Sequence, residues 1–383
     1  MQEERVAAHL RDRPAQLREA QAQGTKIIGY FPGNYVPEEL IIAAGAVPLC
    51  LVEGGDTPPL EASVPVIPHI FCPFARTQIG ERSLKRNPYY DIIDMFVAPV
   101  TCQHLKKVAE IWEYYGDMEI FKLGIPHQRD NDFELEYFTN RLRALRERLQ
   151  TLTGNEITDE HITGSINLYN RMRELLRQIS LMRRAPSPPL SALDFLKLNH
   201  ASFYADPAFM VDILESVYGE LKARPPAAET NAPRLLLIGP NISHGDYKIL
   251  ELIRETGGDI VIEEVYEGIR YYWHTIDVNG DPIESLAQGY LRDRVPPAFM
   301  RYSTKKRLDF ALKLIADFNV SGVIWYELLG CETYDAESYF FAQKMEERNI
   351  PMLTLESDYG MAAIGQARIR IEAFIEMVRG GLD

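Results

Sequence analysis

Short apolar runs alternate with helical stretches in two separate parts of this chain, and that rhythm limits the folds open to it. In the first part, Lys26–Tyr30 and Val47–Val52 read as strands flanking a helix that starts at Pro37. Asp91–Val100 is a third strand, Gln103–Tyr115 a helix and Glu119–Leu123 a fourth strand. The second part repeats the pattern. Strands are expected at Arg234–Gly239, Asp259–Glu264, Val320–Leu328 and Pro351–Leu355, with helices at Asp246–Thr256, Leu308–Asn319, Ala336–Arg348 and Ile364–Arg379. Strands separated by helices pair in parallel and are covered on both faces, so they read as continuous apolar runs. The expectation is an α/β protein with two lobes of mostly parallel sheet. Between them, Phe133–Thr153, Thr158–Arg183 and Pro189–Lys222 are charged helical stretches without strand signals, expected to form a helical layer joining the lobes. Ala223–Pro233 reads as a Pro/Ala-rich linker. These signals divide the chain into an N-terminal helix (1–24), a first lobe (25–130), a helical layer with linker (131–230) and a second lobe (231–383).

The formal net charge of -14 argues against nucleic-acid or membrane-surface binding, because both favour a basic face. The first residues, MQEERVAAHLRDRPAQLREAQ, lack the apolar core of a signal peptide, and no run of 18 apolar residues occurs. A cytoplasmic location is therefore expected. Four cysteines in such a chain point to free, metal-bound or catalytic thiols rather than a disulfide framework.

Cys102 follows the third strand and precedes a helix, and Cys331 follows the strand VSGVIWYELL and precedes a helix. Both fall at carboxyl ends of parallel strands, where open α/β sheets bind ligands. Cys72 lies in the Pro-bounded segment IPHIFCPFAR, read as a loop of the first lobe. Thiols from two lobes meeting across a cleft would suit an iron–sulfur cluster, and three ligands would leave one iron open. No C-x-x-C spacing is present, so small buried thiols are the competing reading. Cys50, inside VPLCLV, is assigned to the core.

Other motifs carry less. Gly239–Ser243 follows a strand but has neither dinucleotide nor Walker glycines, and reads as a turn with Ser243 or Asp246 capping a helix. His104 can touch a ligand held at Cys102 or sit at the surface. Glu356–Tyr359 can supply a carboxylate to the cleft or form a solvated turn. Tyr271–His274 reads as core. Hydrolase motifs of the G-x-S-x-G or H-E-x-x-H type are absent.

Four segments together resemble the 2-hydroxyglutaryl-CoA dehydratase D-component family, which includes catalytic subunits of ATP-dependent benzoyl-CoA reductases. They are GYFPGNYVPEELIIAAGAVPL, DIIDMFVAPVTCQHLKKVAEIWEYY, VSGVIWYELLGCETYDAE and NIPMLTLESDYGMAAIGQARIRIEAFIEM. The likeness runs from about residue 25 to the C-terminus. It implies two flavodoxin- or Rossmann-like lobes around one [4Fe-4S] cluster held by Cys72, Cys102 and Cys331. It also implies a heterodimer with a related second subunit, and a separate ATP-dependent iron–sulfur activator that donates electrons. Where family members often carry a Thr after GQ, this chain has Ile369, which puts any polar contact there in doubt. Glu53, just after the second strand, is a catalytic candidate by position only.

The function implied is one-electron reduction of a CoA thioester by an oxygen-sensitive enzyme, leading to 2-hydroxyacyl-CoA dehydration or to reduction of an aromatic ring. A dry cleft would protect the radical. CoA phosphates are expected near Lys or Arg, with Lys106 and Lys107 as candidates. Two alternatives stand beside this reading: a non-catalytic, cluster-bearing partner subunit, and an α/β binding protein without a cluster.

Overall fold

The computed structural model describes residues 2–33, 35–116, 118–225, 231–360 and 364–381. The centre of the expected linker, residues 226–230, and residues 361–363 of the C-terminal likeness lie outside the described residues. The chain starts with α1 (Gln2–Ala22), β1 (Ile27–Tyr30), α2 (Glu38–Ala43) and β2 (Val47–Cys50). Then come α3 (Thr57–Ser63), α4 (Pro73–Leu84), β3 (Met95–Val100), α5 (Gln103–Tyr115) and β4 (Glu119–Gly124). The helical layer holds α6 (Asp132–Thr153), α7 (Asp159–Leu181), α8 (Ala192–Ala201) and α9 (Pro207–Ala223).

The second lobe begins with β5 (Arg234–Ile238), α10 (Lys248–Glu255) and β6 (Asp259–Glu264). After it come α11 (Ile269–Tyr272), α12 (Pro282–Gln288), α13 (Thr304–Asp317) and β7 (Gly322–Leu328). α14 (Glu332–Glu346), β8 (Met352–Ser357) and α15 (Ile364–Gly380) complete it.

Each lobe carries a four-stranded, all-parallel sheet. The orders are β2-β1-β3-β4 and β6-β5-β7-β8, so both lobes place their strands in the same 2-1-3-4 sequence. Strand order reverses between β1 and β3, and again between β5 and β7. At such switch points the flanking connections leave in opposite directions and open a crevice at the carboxyl ends of the strands. β7 (GVIWYEL) is buried along its whole length, as expected for a central strand covered on both faces.

Two differences from the sequence reading have local causes. The stretch 189–222 is broken rather than continuous, because Pro207 cannot extend a helix from its N-terminal side. Asp206 caps the new helix by accepting from the Ala208 and Phe209 N–H groups. The segment read as a loop around Cys72 runs directly into α4, with Cys72 at its N-cap and Pro73 at its first helical position.

The helical layer is pinned to both lobes by buried charges. Arg173 of α7 pairs with Glu39 of α2 at 2.6 Å, and the Tyr290 hydroxyl donates to the other Glu39 oxygen. Just beyond α7, Arg183 makes a two-pronged contact with Glu263 of β6 at 2.7 and 3.0 Å. Both pairs are fully buried, so removing one partner strands the other charge and costs about 3–5 kcal/mol. The layer therefore holds the two crevices in a fixed relation.

Candidate functional site

Cys72, Cys102 and Cys331 occupy equivalent places: each is the N-cap of a helix, α4, α5 and α14 respectively. Cys102 follows β3 by two residues and Cys331 follows β7 by three, so each lies past the third strand of its own lobe. The Cys72 backbone N–H donates to His104 Nδ1 at 3.3 Å, which ties the start of α4 to that of α5. Gly330 packs against the same place from the second lobe. A Cβ there would lie 2.7 Å from the Ile70 carbonyl oxygen and 3.9 Å from the Cys72 nitrogen. The three helix starts thus converge across the cleft, two from one lobe and one from the other.

The electrostatics agree with that geometry. Burial pushes the Cys72 thiol well above the ordinary thiol range, and the neighbouring charges of Cys331 and Cys102 push it further. Burial and then Cys102 raise Cys331 to about 12. Cys102 is raised mainly by burial. First-turn amides oppose these shifts: Ala75 and Phe74 at Cys72, Leu105 and His104 at Cys102, Tyr334 at Cys331. None of the three sulfurs makes a side-chain cap hydrogen bond to its helix. Three helix N-termini aimed at three thiols favour anionic sulfur, yet the thiols burden one another when no cation is present.

The donor set is three soft sulfurs at one aperture. Among the described residues, no group of three or more His, Cys, Asp or Glu side chains closes on a single metal ion. A cluster asks for something different, since each thiolate binds a different iron and the sulfurs stand further apart than ligands of one ion. The residues present fit such a group: a polynuclear iron–sulfur centre takes thiolate ligands, and a coordinated thiol is deprotonated outright. Cys102 and Cys331 are half-buried and Cys72 is buried, with Ile70 and Leu329 exposed at the rim. Cys50 is fully buried in the core of the first lobe.

Glu53 stands at the lobe junction with both carboxylate oxygens engaged. The Tyr204 hydroxyl donates to Oε1 at 2.8 Å, and His244 Nδ1 lies 3.1 Å from Oε2. The backbone runs alongside: Gly54 N–H donates to the His244 carbonyl, and His244 N–H to the Val52 carbonyl. Lys248 adds a bridge, donating to the Gly55 and Tyr359 carbonyls at 2.8 and 2.6 Å. Ser243 hydrogen-bonds Tyr359 and does not cap α10, and Asp246 accepts from the Tyr326 hydroxyl. Glu356 and Asp358 are solvent-exposed, and Ile369 is exposed as well. Tyr271 and Tyr272 are core residues. Lys106 and Lys107 both pair with Glu110.

Sequence reasoning misses the partners that organise this region. It offers His104 only as a neighbour of a ligand, whereas its ring orients the Cys72 amide. His244 and Tyr204 carry no signal, because nothing local marks a residue as the partner of a carboxylate 191 or 151 positions away.

The chain matches the family model described as 2-hydroxyglutaryl-CoA dehydratase, D-component, over residues 34–378. It is 26% identical to a protein of Escherichia coli K12, YjiM, whose name assigns it provisionally to dehydratase subunits; the match covers 93% of this chain and 92% of the relative. It is 23% identical to the (R)-phenyllactyl-CoA dehydratase beta subunit of Clostridium sporogenes, covering 94% of each. It is also 23% identical to one of the subunits of the benzoyl-CoA reductase of Thauera aromatica, covering 86% of this chain and 85% of the relative.

Proposed function

The chain belongs to the 2-hydroxyglutaryl-CoA dehydratase D-component family, and from that premise we propose that it is an iron–sulfur subunit of an acyl-CoA enzyme. Its type is that of 2-hydroxyacyl-CoA dehydratase and benzoyl-CoA reductase subunits. The relatives are subunits by name, and this chain accordingly works with a partner subunit. The finer reading is one [4Fe-4S] cluster held by Cys72, Cys102 and Cys331, serving one-electron reduction of a CoA thioester. The related second subunit and an ATP-dependent activator that donates electrons belong to that reading.

The observation that carries it is the convergence of three cysteine N-caps from two lobes on one aperture. When bound, a [4Fe-4S] cluster supplies low-potential single-electron transfer and, with three protein ligands, one iron open to an oxygen ligand. The chain's own residues provide the setting. The three thiolates hold the group, the N-termini of α4, α5 and α14 stabilise negative charge there, and His104 fixes the backbone at Cys72. The half-buried site limits water at the reacting centre.

Glu53 favours one detail over the original candidate role. With its oxygens engaged by His244 and Tyr204, it joins the lobes and is not poised as a free base. That supports the second reading, a cluster-bearing subunit whose partner supplies the acid–base groups. The test is spectroscopic. The anaerobically reconstituted complex is titrated with acyl-CoA while the cluster EPR and Mössbauer signals of this subunit are followed. Signals that change assign substrate contact to this subunit, signals that stay fixed assign it to the partner, and a protein without iron removes the cluster reading altogether.

A further inference from the structure

We infer that a groove beside β4 receives the adenosine bisphosphate end of coenzyme A, with the pantetheine arm running from there toward Cys331. This rests on the acyl-CoA reading above. The groove measures about 420 Å³ and is lined by Ile125, Pro126, His127, Phe133, Tyr137 and Arg301, among others. It opens directly after β4, at the carboxyl edge of the sheet that also carries Cys102, where α/β folds take ligands.

Its chemistry matches a nucleotide bisphosphate in three ways. First, Phe133 and Tyr137 are large aromatic residues left 76% and 43% exposed, which a stacked purine would cover. Tyr137 stands over the strand end, its hydroxyl so close to Gly124 that a Cβ there would collide with it. Second, neighbouring cations are engaged elsewhere, whereas Arg301 faces the groove. Arg292 pairs with Asp132, Lys306 with Asp130, and Arg129 donates to the Arg292 and Arg294 carbonyls. Arg301 is exposed on the groove wall, and among the described residues its guanidinium has no partner, whereas its backbone is fixed by a 2.8 Å bond to the His127 carbonyl. A fork of N–H donors held in place is suited to phosphate oxygens. Third, Glu134 lines the groove with a buried carboxylate oxygen that has no partner among the described residues, an acceptor for the adenine amino group.

A second groove lies on the side toward Cys331. Phe299 forms a ring contact with His127 at 5.5 Å, and on its other side lines a second groove of about 580 Å³. Glu332 and Thr333, the residues after Cys331, line that second groove. On this proposal the pantetheine arm runs past Phe299 into the second groove, toward the start of α14. Lys106 and Lys107 are on α5 and already pair with Glu110, which makes them weaker phosphate ligands than Arg301.

The test measures binding of CoA and of adenosine 3′,5′-bisphosphate to the anaerobically prepared complex by calorimetry. It compares the native protein with Arg301→Glu and Phe133→Ala, both at exposed positions. Arg301→Glu is expected to weaken both ligands at least about tenfold, as loss of a charged hydrogen-bonded contact does, and Phe133→Ala severalfold. The EPR spectrum of the cluster should stay unchanged in both. If both variants bind like the native protein, or if Lys107→Glu weakens binding and Arg301→Glu does not, the nucleotide lies elsewhere and the inference falls while the acyl-CoA reading stands. If the native complex binds neither ligand, the acyl-CoA reading fails and this inference with it.

Discussion

Glu53 and His244 show how a residue's environment assigns its role. Burial alone would depress the His244 imidazolium, but the hydrogen bond and charge of Glu53 outweigh it and hold its pKa above the ordinary 6.5. A group raised on folding stabilises fully below its unfolded pKa and loses that contribution as pH rises through the folded one. The latch is therefore strongest below about pH 6.5. Glu53→Gln should lower stability there by about 1 kcal/mol, a value discounted for the half-exposed histidine, and have little effect at pH 9. Thermal midpoints at the two pH values check this; equal losses at both would contradict it. Glu267 runs the other way for a carboxylate. Burial raises it to about 8, and its Oε1 has no partner among the described residues. Its contribution is complete below pH 4.5 and fades toward pH 8, so Glu267→Gln should raise stability near pH 7.5 by about 2 kcal/mol and flatten the pH profile. An unchanged midpoint would count against it. Neither role was legible in the sequence, because each depends on partners brought together only by the fold.

The cysteines are a property of elements more than of single residues. Each ends a connection and starts a helix, so its position follows from where the helix begins. Cys102 and Cys331 could be read in advance, since strands MFVAPV and GVIWYEL are continuous apolar runs with a cysteine just beyond. Cys72 could not, because α4 starts inside a Pro-bounded segment without a preceding strand; Pro73 at the first helical position was the available signal. Cys50 was legible as core from its place inside an apolar strand, and Cys50→Ala should leave iron content after reconstitution unaffected. The turn before α14 depends on Gly330, whose φ of +74° suits glycine and whose missing Cβ admits the Ile70 carbonyl. Gly330→Ala should cost about 1–2 kcal/mol of stability and reduce cluster retention, because the strained turn moves Cys331 away from Cys72. Iron analysis alongside thermal denaturation would show both losses; a fully loaded, stable variant would refute the role of this turn.

At the scale of the molecule, two lobes with the same strand order place a cysteine past the third strand of each, and α7 with its following turn clamps them through Glu39 and Glu263. The α/β class and the doubled architecture were legible because strand and helix periodicities differ and each lobe repeats them. The relative placement of the lobes was not, since it rests on long-range pairs such as Glu53–His244 and Arg173–Glu39. On the proposed reading, that placement would let one centre draw ligands from both halves. The most direct test is iron and sulfide analysis with Mössbauer spectroscopy after anaerobic reconstitution of the native chain and of Cys72→Ser, Cys102→Ser and Cys331→Ser. The account predicts one [4Fe-4S] cluster per native chain and loss of most of it in every one of the three variants, with the fold retained. A native chain that takes up no iron, or any one of the three variants keeping a full, unaltered cluster, would contradict it.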